Sequence, residues 1–455
     1  MLRSVVGLIS LVLGLFILLD SQAGIMHLIG ILPFAHGSFQ LLLPKRNLNV
    51  AEIIVCILYF IRNVFTPYMM SITNYSTPLV QIKKEDQLLS SIFIFIFETA
   101  CVFIFIRKRT VKKVQIQKRI DNNSLRTGLL FNTLFWGGFL LTIIIYTLVP
   151  QTHDTFISIF DDEAAFLNAI MSDEVAKVGG INRILYTLFG ILFGFYRILL
   201  PAYLLTIIRK CVKYSILAIP LSFFVISLQL FFITDRMMST LIIISVLSMF
   251  LVYLYPLQKK QLFYSAFVSL SLLLPLFFVL KTSNGSSDLN STNTLISFMF
   301  QSYLPNISNM VGVYNMPSWN LSYFIGDIYS MIPFRNSIFG SIELDNVPDL
   351  FNECNDIRGQ IIPLVGQSYY HFGFLLCPIL SLLLAKISFV SYEKSQETNN
   401  FVKYIYYIYL SMFAAMTPCM YYFGVFGSTY LTSMIFILIM SKFVTEKKSY
   451  GTVRK

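Results

Sequence analysis

Charge is what this sequence has least of. Asp, Glu, Lys and Arg make up 13 % of its 455 residues, against roughly 25 % in a typical soluble domain. That scarcity, beside 56 % hydrophobic residues, excludes the set of soluble domains that the length alone would suggest. Cysteine is sparse as well. The six cysteines are spread along the chain, most in or beside apolar stretches, so they imply no disulfide framework and match no metal-ligand spacing. The chain has no nucleophile elbow, no phosphate-binding glycine loop and no zinc motif. No internal repeat is visible, which counts against the many transporters built from repeats.

What the sequence does have is apolar blocks of about 20 residues, the length a helix needs to cross roughly 30 Å of hydrocarbon. Blocks at 4–19, 24–43, 50–72, 88–106, 129–149, 181–208, 214–234, 237–257, 262–280, 367–390, 401–418 and 423–440 predict an all-α, polytopic bundle of about a dozen spans. The first block resembles a signal peptide in length, but no small-residue cleavage site follows it and the membrane pattern continues at once. The net charge is +11, a balance that in a soluble chain would raise a nucleic-acid partner. Here Lys and Arg concentrate in one set of connections, such as Arg107 to Arg119 and the tail from Lys442. The acids concentrate in the other set, such as Asp161-Asp162-Glu163. This is the positive-inside pattern: it places both termini in the cytoplasm and points to a lipid bilayer as partner, with no nucleic acid.

The connections are unequal. Residues 281–360 form one large external loop within a single integral membrane domain, far longer than the 12–15 residues beyond which a structureless connection is unusual. Its aromatic and polar body predicts short helices at 294–304 and 319–332, and it ends in an acidic run from Glu343 to Asp356.

Ionisable residues within spans are costly and are candidates for function. Arg62 and Glu98 fall at similar depths on adjacent spans. The ordinary reading is an ion pair; the functional one has Arg62 facing an internal cavity. Arg183, Arg236, Arg335 and Arg358 are scarce cations on a predominantly acidic external side, and guanidinium binds phosphate bidentately. Arg197, deeper in its span, extends such a track or snorkels. The acidic triplet at 161–163 reads as a solvated loop ahead of a metal site. Gly366-Gln367-Ser368-Tyr369-Tyr370-His371-Phe372-Gly373 is the most distinctive stretch. His371 has the right unperturbed pKa for a general base, and a structural role at a helix entrance is the ordinary alternative.

Two of these features carry a family resemblance. Thr234-Asp235-Arg236 followed by Ser239 and an apolar helix, and the Gly-x-x-Tyr-x-x-x-Gly pattern of Gly366 to Gly373, resemble the Wzy-type bacterial polymerases of O-antigen and capsule repeat units. The count of spans and the single late external loop are similar too. Members often carry Asn before Phe-Gly, where this chain has His371. The resemblance implies a metal-independent glycosyltransferase without cofactor in the bacterial cytoplasmic (inner) membrane. Its substrate would be an undecaprenyl-diphosphate-linked oligosaccharide, with a chain-length regulator as a further partner. It implies catalytic roles for Arg236, Arg358 and His371, with His371 or an acid of the long loop serving the acceptor hydroxyl. It implies substrate contacts for Arg335, Arg183, Arg62, Tyr369, Tyr370 and Trp319, with Arg236 and Arg335 or Arg358 on the diphosphate. Two other readings stay open at this point: an O-antigen-type ligase, and a lipid-linked oligosaccharide flippase or other transporter.

Overall fold

The computed structural model describes residues 2–43, 48–73, 80–82, 84–109, 127–155, 180–212, 214–230, 237–258, 260–262, 293, 297, 300–301, 304–332, 344–357 and 360–444. Among them 85 % are helical and none is in a strand. The helices are α1 (Leu2–Leu18), α2 (Ile31–Leu42), α3 (Val50–Ile72), α4 (Glu85–Lys108), α5 (Leu129–Leu148), α6 (Gly180–Cys211), α7 (Ser215–Ser227), α8 (Met237–Leu254), α9 (Ile307–Gly312), α10 (Leu321–Met331), α11 (Val347–Cys354), α12 (Leu364–Phe372), α13 (Ile379–Glu397), α14 (Phe401–Met420) and α15 (Phe423–Ser441).

Seven helical stretches are long and apolar enough to cross a membrane: Gly24–Leu42, α3, α4, α5, α6, Phe374–Glu397 and α15. Their exposed faces fit that setting. Leu130, Leu140 and Leu148 of α5 are 56, 59 and 65 % exposed, an apolar surface that water would penalise and lipid does not. The expectation of about a dozen spans also drew on α1, α7 and α8, which have shorter apolar helices. It drew too on residues 262–280, which lie almost wholly outside the described residues.

One expected span is corrected. The stretch 367–390 is not one helix. α12 stops at Gly373, whose φ of 74° and ψ of −177° are open to glycine and closed to nearly everything else. A single tight turn, Phe374–Leu376, then leads to α13. Pro378, which lacks an N–H, stands immediately before α13 and suits the start of a helix better than its middle. Within the long connection, α10 matches the helix expected at 319–332. Most of 294–304 lies outside the described residues.

The chain divides into two compact units. One comprises Met1–Lys113, Ser287–Val390 and Ser411–Ser428; the other comprises Val114–Ser286, Ser391–Leu410 and Thr429–Lys455. In the first, α1 and α2 meet backbone to backbone. A Cβ on Gly14 would lie 2.6 Å from the Phe34 nitrogen, and one on Gly37 2.6 Å from the Gly7 carbonyl oxygen. Such close approach is how apolar helices gain contact where no hydrophobic effect drives them together. α3 begins with a capping box: Asn49 accepts from the Glu52 N–H while Glu52 accepts from the Asn49 N–H. Residues Ile61–Phe65 then widen into one π-helical turn, a feature that recurs at sites of special demand. Arg62 stands in it. In the second unit, Tyr196 of α6 donates to the Phe135 carbonyl at 2.5 Å within a cluster that includes Phe131, Trp136 and Tyr203.

Candidate functional site

His371 occupies the last turn of α12, and Asp327 the middle of α10. Their sequence separation is 44 residues, yet His371 Nε2 lies 2.7 Å from Asp327 Oδ2. Both side chains are nearly sealed, at 3 and 5 % exposure. The other ring nitrogen, Nδ1, accepts from the Trp319 indole N–H at 3.3 Å. An indole nitrogen can only donate, so Nδ1 carries no proton. In the neutral ring the proton then sits on Nε2 and is donated to Asp327.

Asp327 is itself held from three sides. Besides His371, Oδ2 accepts from the Gln367 amide at 2.5 Å, and Oδ1 accepts from the Val347 N–H at 2.8 Å, at the start of α11. Gln367 in turn accepts from the Phe423 N–H at 3.0 Å. The four segments therefore meet through one carboxylate. Their approach is close: a Cβ on Gly326 would lie 2.1 Å from the Asp345 carbonyl oxygen, so only glycine can precede Asp327 there. Held by three donors, the Asp327 carboxylate fixes the orientation of His371, and with Trp319 on Nδ1 it fixes the tautomer.

Aromatic side chains line this pair. Phe324 meets the His371 ring edge-on at 5.2 Å, and Tyr370 lies 5.8 Å from it. Trp319 is 49 % exposed and belongs to the irregular stretch between Asn315 and α10. The Tyr370 hydroxyl donates to the Pro317 carbonyl at 3.1 Å, which ties that stretch down. Burial, reinforced by nearby Tyr323, pushes the Tyr370 phenol up to about 12, so it remains a donor at neutral pH. Tyr314 and Tyr369 stand together at 5.9 Å, and burial raises the Tyr314 phenol further still. The arrangement combines an oriented imidazole, a fixed carboxylate and flat apolar faces, a set suited to deprotonating a hydroxyl on a polar molecule with C–H faces.

Arg62 belongs to a different network of the same unit. Its Nη2 donates to Glu98 at 2.6 Å, Nη1 to the Pro418 carbonyl at 3.2 Å, and Nε to Asn63 at 3.2 Å. Glu98 also accepts from Tyr59 at 3.0 Å and from Ser381. The guanidinium lies between the Tyr59 and Phe95 rings, 4.6 and 4.5 Å from their centres. Arg62 is 2 % exposed and Glu98 fully buried. The pair expected from their matching depth is therefore formed, and each guanidinium nitrogen donates to a protein acceptor.

Of the residues singled out from the sequence, the structure brings together His371, Tyr370 and Trp319, with Tyr369 beside Tyr314. Arg183 is half-buried in the first turn of α6, in the other unit. Arg197 donates to Thr240 and lines an apolar cavity of about 320 Å³ with Phe139, Tyr146, Phe189 and Tyr196. Arg236, Arg335 and Arg358, like Asp235 and the triplet at 161–163, lie outside the described residues. Asp327 and Gln367 were missed as members of the site. The signal for Asp327 was a lone charge inside the otherwise uncharged Leu321–Met331 segment. Comparison with protein-family models, curated proteins and solved structures returned no match.

Proposed function

We propose that the chain is a membrane glycosyltransferase that joins oligosaccharide repeat units carried on undecaprenyl diphosphate, at the outer face of a bacterial cytoplasmic membrane. The observation that carries this reading is the Asp327–His371 pair. It is a nearly sealed carboxylate and imidazole, locked in one tautomer beside exposed aromatic faces, in the part of the chain that the charge pattern assigns to the outside.

The chemistry asks for two things. The acceptor hydroxyl must lose its proton as it attacks the anomeric carbon, and His371, oriented by Asp327, supplies the base. The leaving diphosphate gains negative charge, which fixed cations stabilise; Arg236, Arg335 and Arg358 are the residues we assign to it. The aromatic groups beside His371 provide flat surfaces for sugar rings. Both termini then lie in the cytoplasm, where the basic tail from Lys442 holds them.

Deleting the gene and resolving the surface glycan on a gel tests this reading. Loss of a polymerase leaves single repeat units attached to the surface. Disappearance of all attached glycan would instead indicate a ligase or a flippase and would overturn the proposal, as would an unchanged ladder.

A further inference from the structure

Resting on the glycosyltransferase reading, we infer that Trp319 is an exchangeable cap on the base atom of His371, and that its indole N–H keeps the place of the acceptor hydroxyl. The two ring nitrogens of His371 are in different situations. Nε2 donates to Asp327, whose two oxygens are also committed to Val347 and Gln367. Moving that side would break a network of buried hydrogen bonds. Nδ1 has a single donor, from Trp319, at the longer distance of 3.3 Å. That donor sits on a side chain 49 % exposed, whereas the imidazole it covers is 3 % exposed. The indole thus separates a sealed base from the medium. Its neighbours in sequence are anchored: Tyr370 donates to the carbonyl of Pro317, and the Asn320 side chain accepts from the Ser322 N–H at 3.1 Å to begin α10. The backbone on both sides of Trp319 is held while the side chain retains an open face.

The polarity of the cap specifies what replaces it. With Asp327 holding the proton on Nε2, Nδ1 can only accept. A ligand that takes the indole's place must bring a donor. A sugar hydroxyl does so; a carboxylate, sulfate or phosphodiester oxygen does not. Exchange of one neutral donor for another leaves the buried imidazole satisfied throughout, so displacement costs little. The freed indole offers its face to the incoming sugar ring. The hydroxyl proton then passes to Nδ1, giving an imidazolium whose Nε2–H stays on Asp327. The hydroxyl oxygen bonds to the anomeric carbon of the donor glycan as that carbon's bond to the diphosphate breaks. The bonding pair leaves with the lipid diphosphate, and His371 returns its proton to that anion or to water. Trp319 is a positioning and selecting residue in this scheme, and Nδ1 is the basic atom.

Only two tryptophans occur in the chain, so Trp136→Phe makes Trp319 the sole indole fluorophore. The probe is the lipid-free repeat unit released from the host's own surface glycan by mild acid, added to the full-length protein in nanodiscs. Saturable change in Trp319 emission on adding this glycan, with none on adding inorganic sulfate, is the expected result. The same emission should already be shifted, and indifferent to glycan, in the His371→Leu background. In turnover assays Trp319→Phe, which keeps a ring but removes the N–H, should lower the acceptor KM roughly two- to tenfold, the worth of one neutral hydrogen bond. Trp319→Ala should raise it roughly tenfold through loss of the aromatic face. Glycan binding seen by calorimetry without any change in Trp319 emission would overturn the inference. So would a Trp319→Phe enzyme with an unchanged or raised KM. Either result, in a strain where gene deletion does leave single repeats, removes the cap and keeps the polymerase. Absence of single repeats on deletion removes the polymerase reading itself.

Discussion

Two buried carboxylates in one unit sit in different surroundings. Glu98 and Asp327 are both nearly inaccessible, both pair with a basic side chain, and both accept from several donors. Around Glu98 the partner is a guanidinium, always charged, clasped between two aromatic rings, with each nitrogen donating to the protein. Nothing in that cluster can change its proton or its partner at moderate cost. Around Asp327 the partner is an imidazole, which can carry a proton on either nitrogen, and one of its two nitrogens accepts only from a surface indole. The difference teaches that burial of charge does not by itself mark chemistry. A saturated pair is a clamp; the pair with a single contact at the surface is the one to which we assign chemistry.

Breaking each carboxylate in turn is the direct way to separate the two. Asp327→Asn should reduce turnover per folded molecule by roughly 10²–10⁴-fold, the usual worth of general base catalysis, with a smaller loss of about 1–3 kcal/mol in stability for the buried donor left without a partner. Asparagine can present an oxygen to only one side, so it cannot serve His371, Gln367 and Val347 together. Retained turnover would demote the pair to structure. Glu98→Ala should behave in the opposite way. It strands a buried guanidinium and should cost about 3–5 kcal/mol in stability, read as a lower unfolding temperature and less protein in the membrane, with turnover per folded molecule kept. Replacing both partners, Arg62→Leu with Glu98→Leu, should recover most of that loss, because an apolar pair of similar bulk no longer needs a countercharge. Gly373→Ala sits between the extremes: its backbone conformation should make the substitution cost about 1–3 kcal/mol and shift His371 relative to Trp319. Tyr370→Phe is the mildest, losing one hydrogen bond to Pro317 at about 0.5–1.5 kcal/mol. Its expected signature is a modest rise in acceptor KM without change in kcat.

Much of the frame could be read before any coordinates. The apolar blocks that became α3, α4, α5, α6 and α15 match closely in position because a bilayer sets a minimum apolar length for every span. The Arg62–Glu98 pair was legible from depth alone, since two opposite charges within hydrocarbon have few other ways to be tolerated. His371 stood out by its company of Gly, Tyr and Phe. Its partner did not. Asp327 lies 44 positions earlier in a loop helix, and no periodicity relates two short helices with a third, α11, between them in the chain. The acids that attracted notice instead were the clustered ones from Glu343 onward; among these, Asp349 serves its own helix start beside Asn346. The break at Gly373 was written in the glycine and in Pro378, but the hydropathy of 374–390 runs on without interruption and masks it.

That break has a mechanical consequence. A membrane helix tilts as the surrounding bilayer thickens or thins, and an unbroken helix from 367 to 390 would carry every change of tilt straight to His371. Instead the imidazole rides on the nine residues of α12, hung from α10, α11 and the start of α15 by Asp327 and Gln367, with Gly373 as a pivot between it and the apolar stretch behind. The imidazole is thereby isolated from the elasticity of its own support. The rate should vary little across vesicles of short and long acyl chains, and stiffening the pivot should make it follow the lipid.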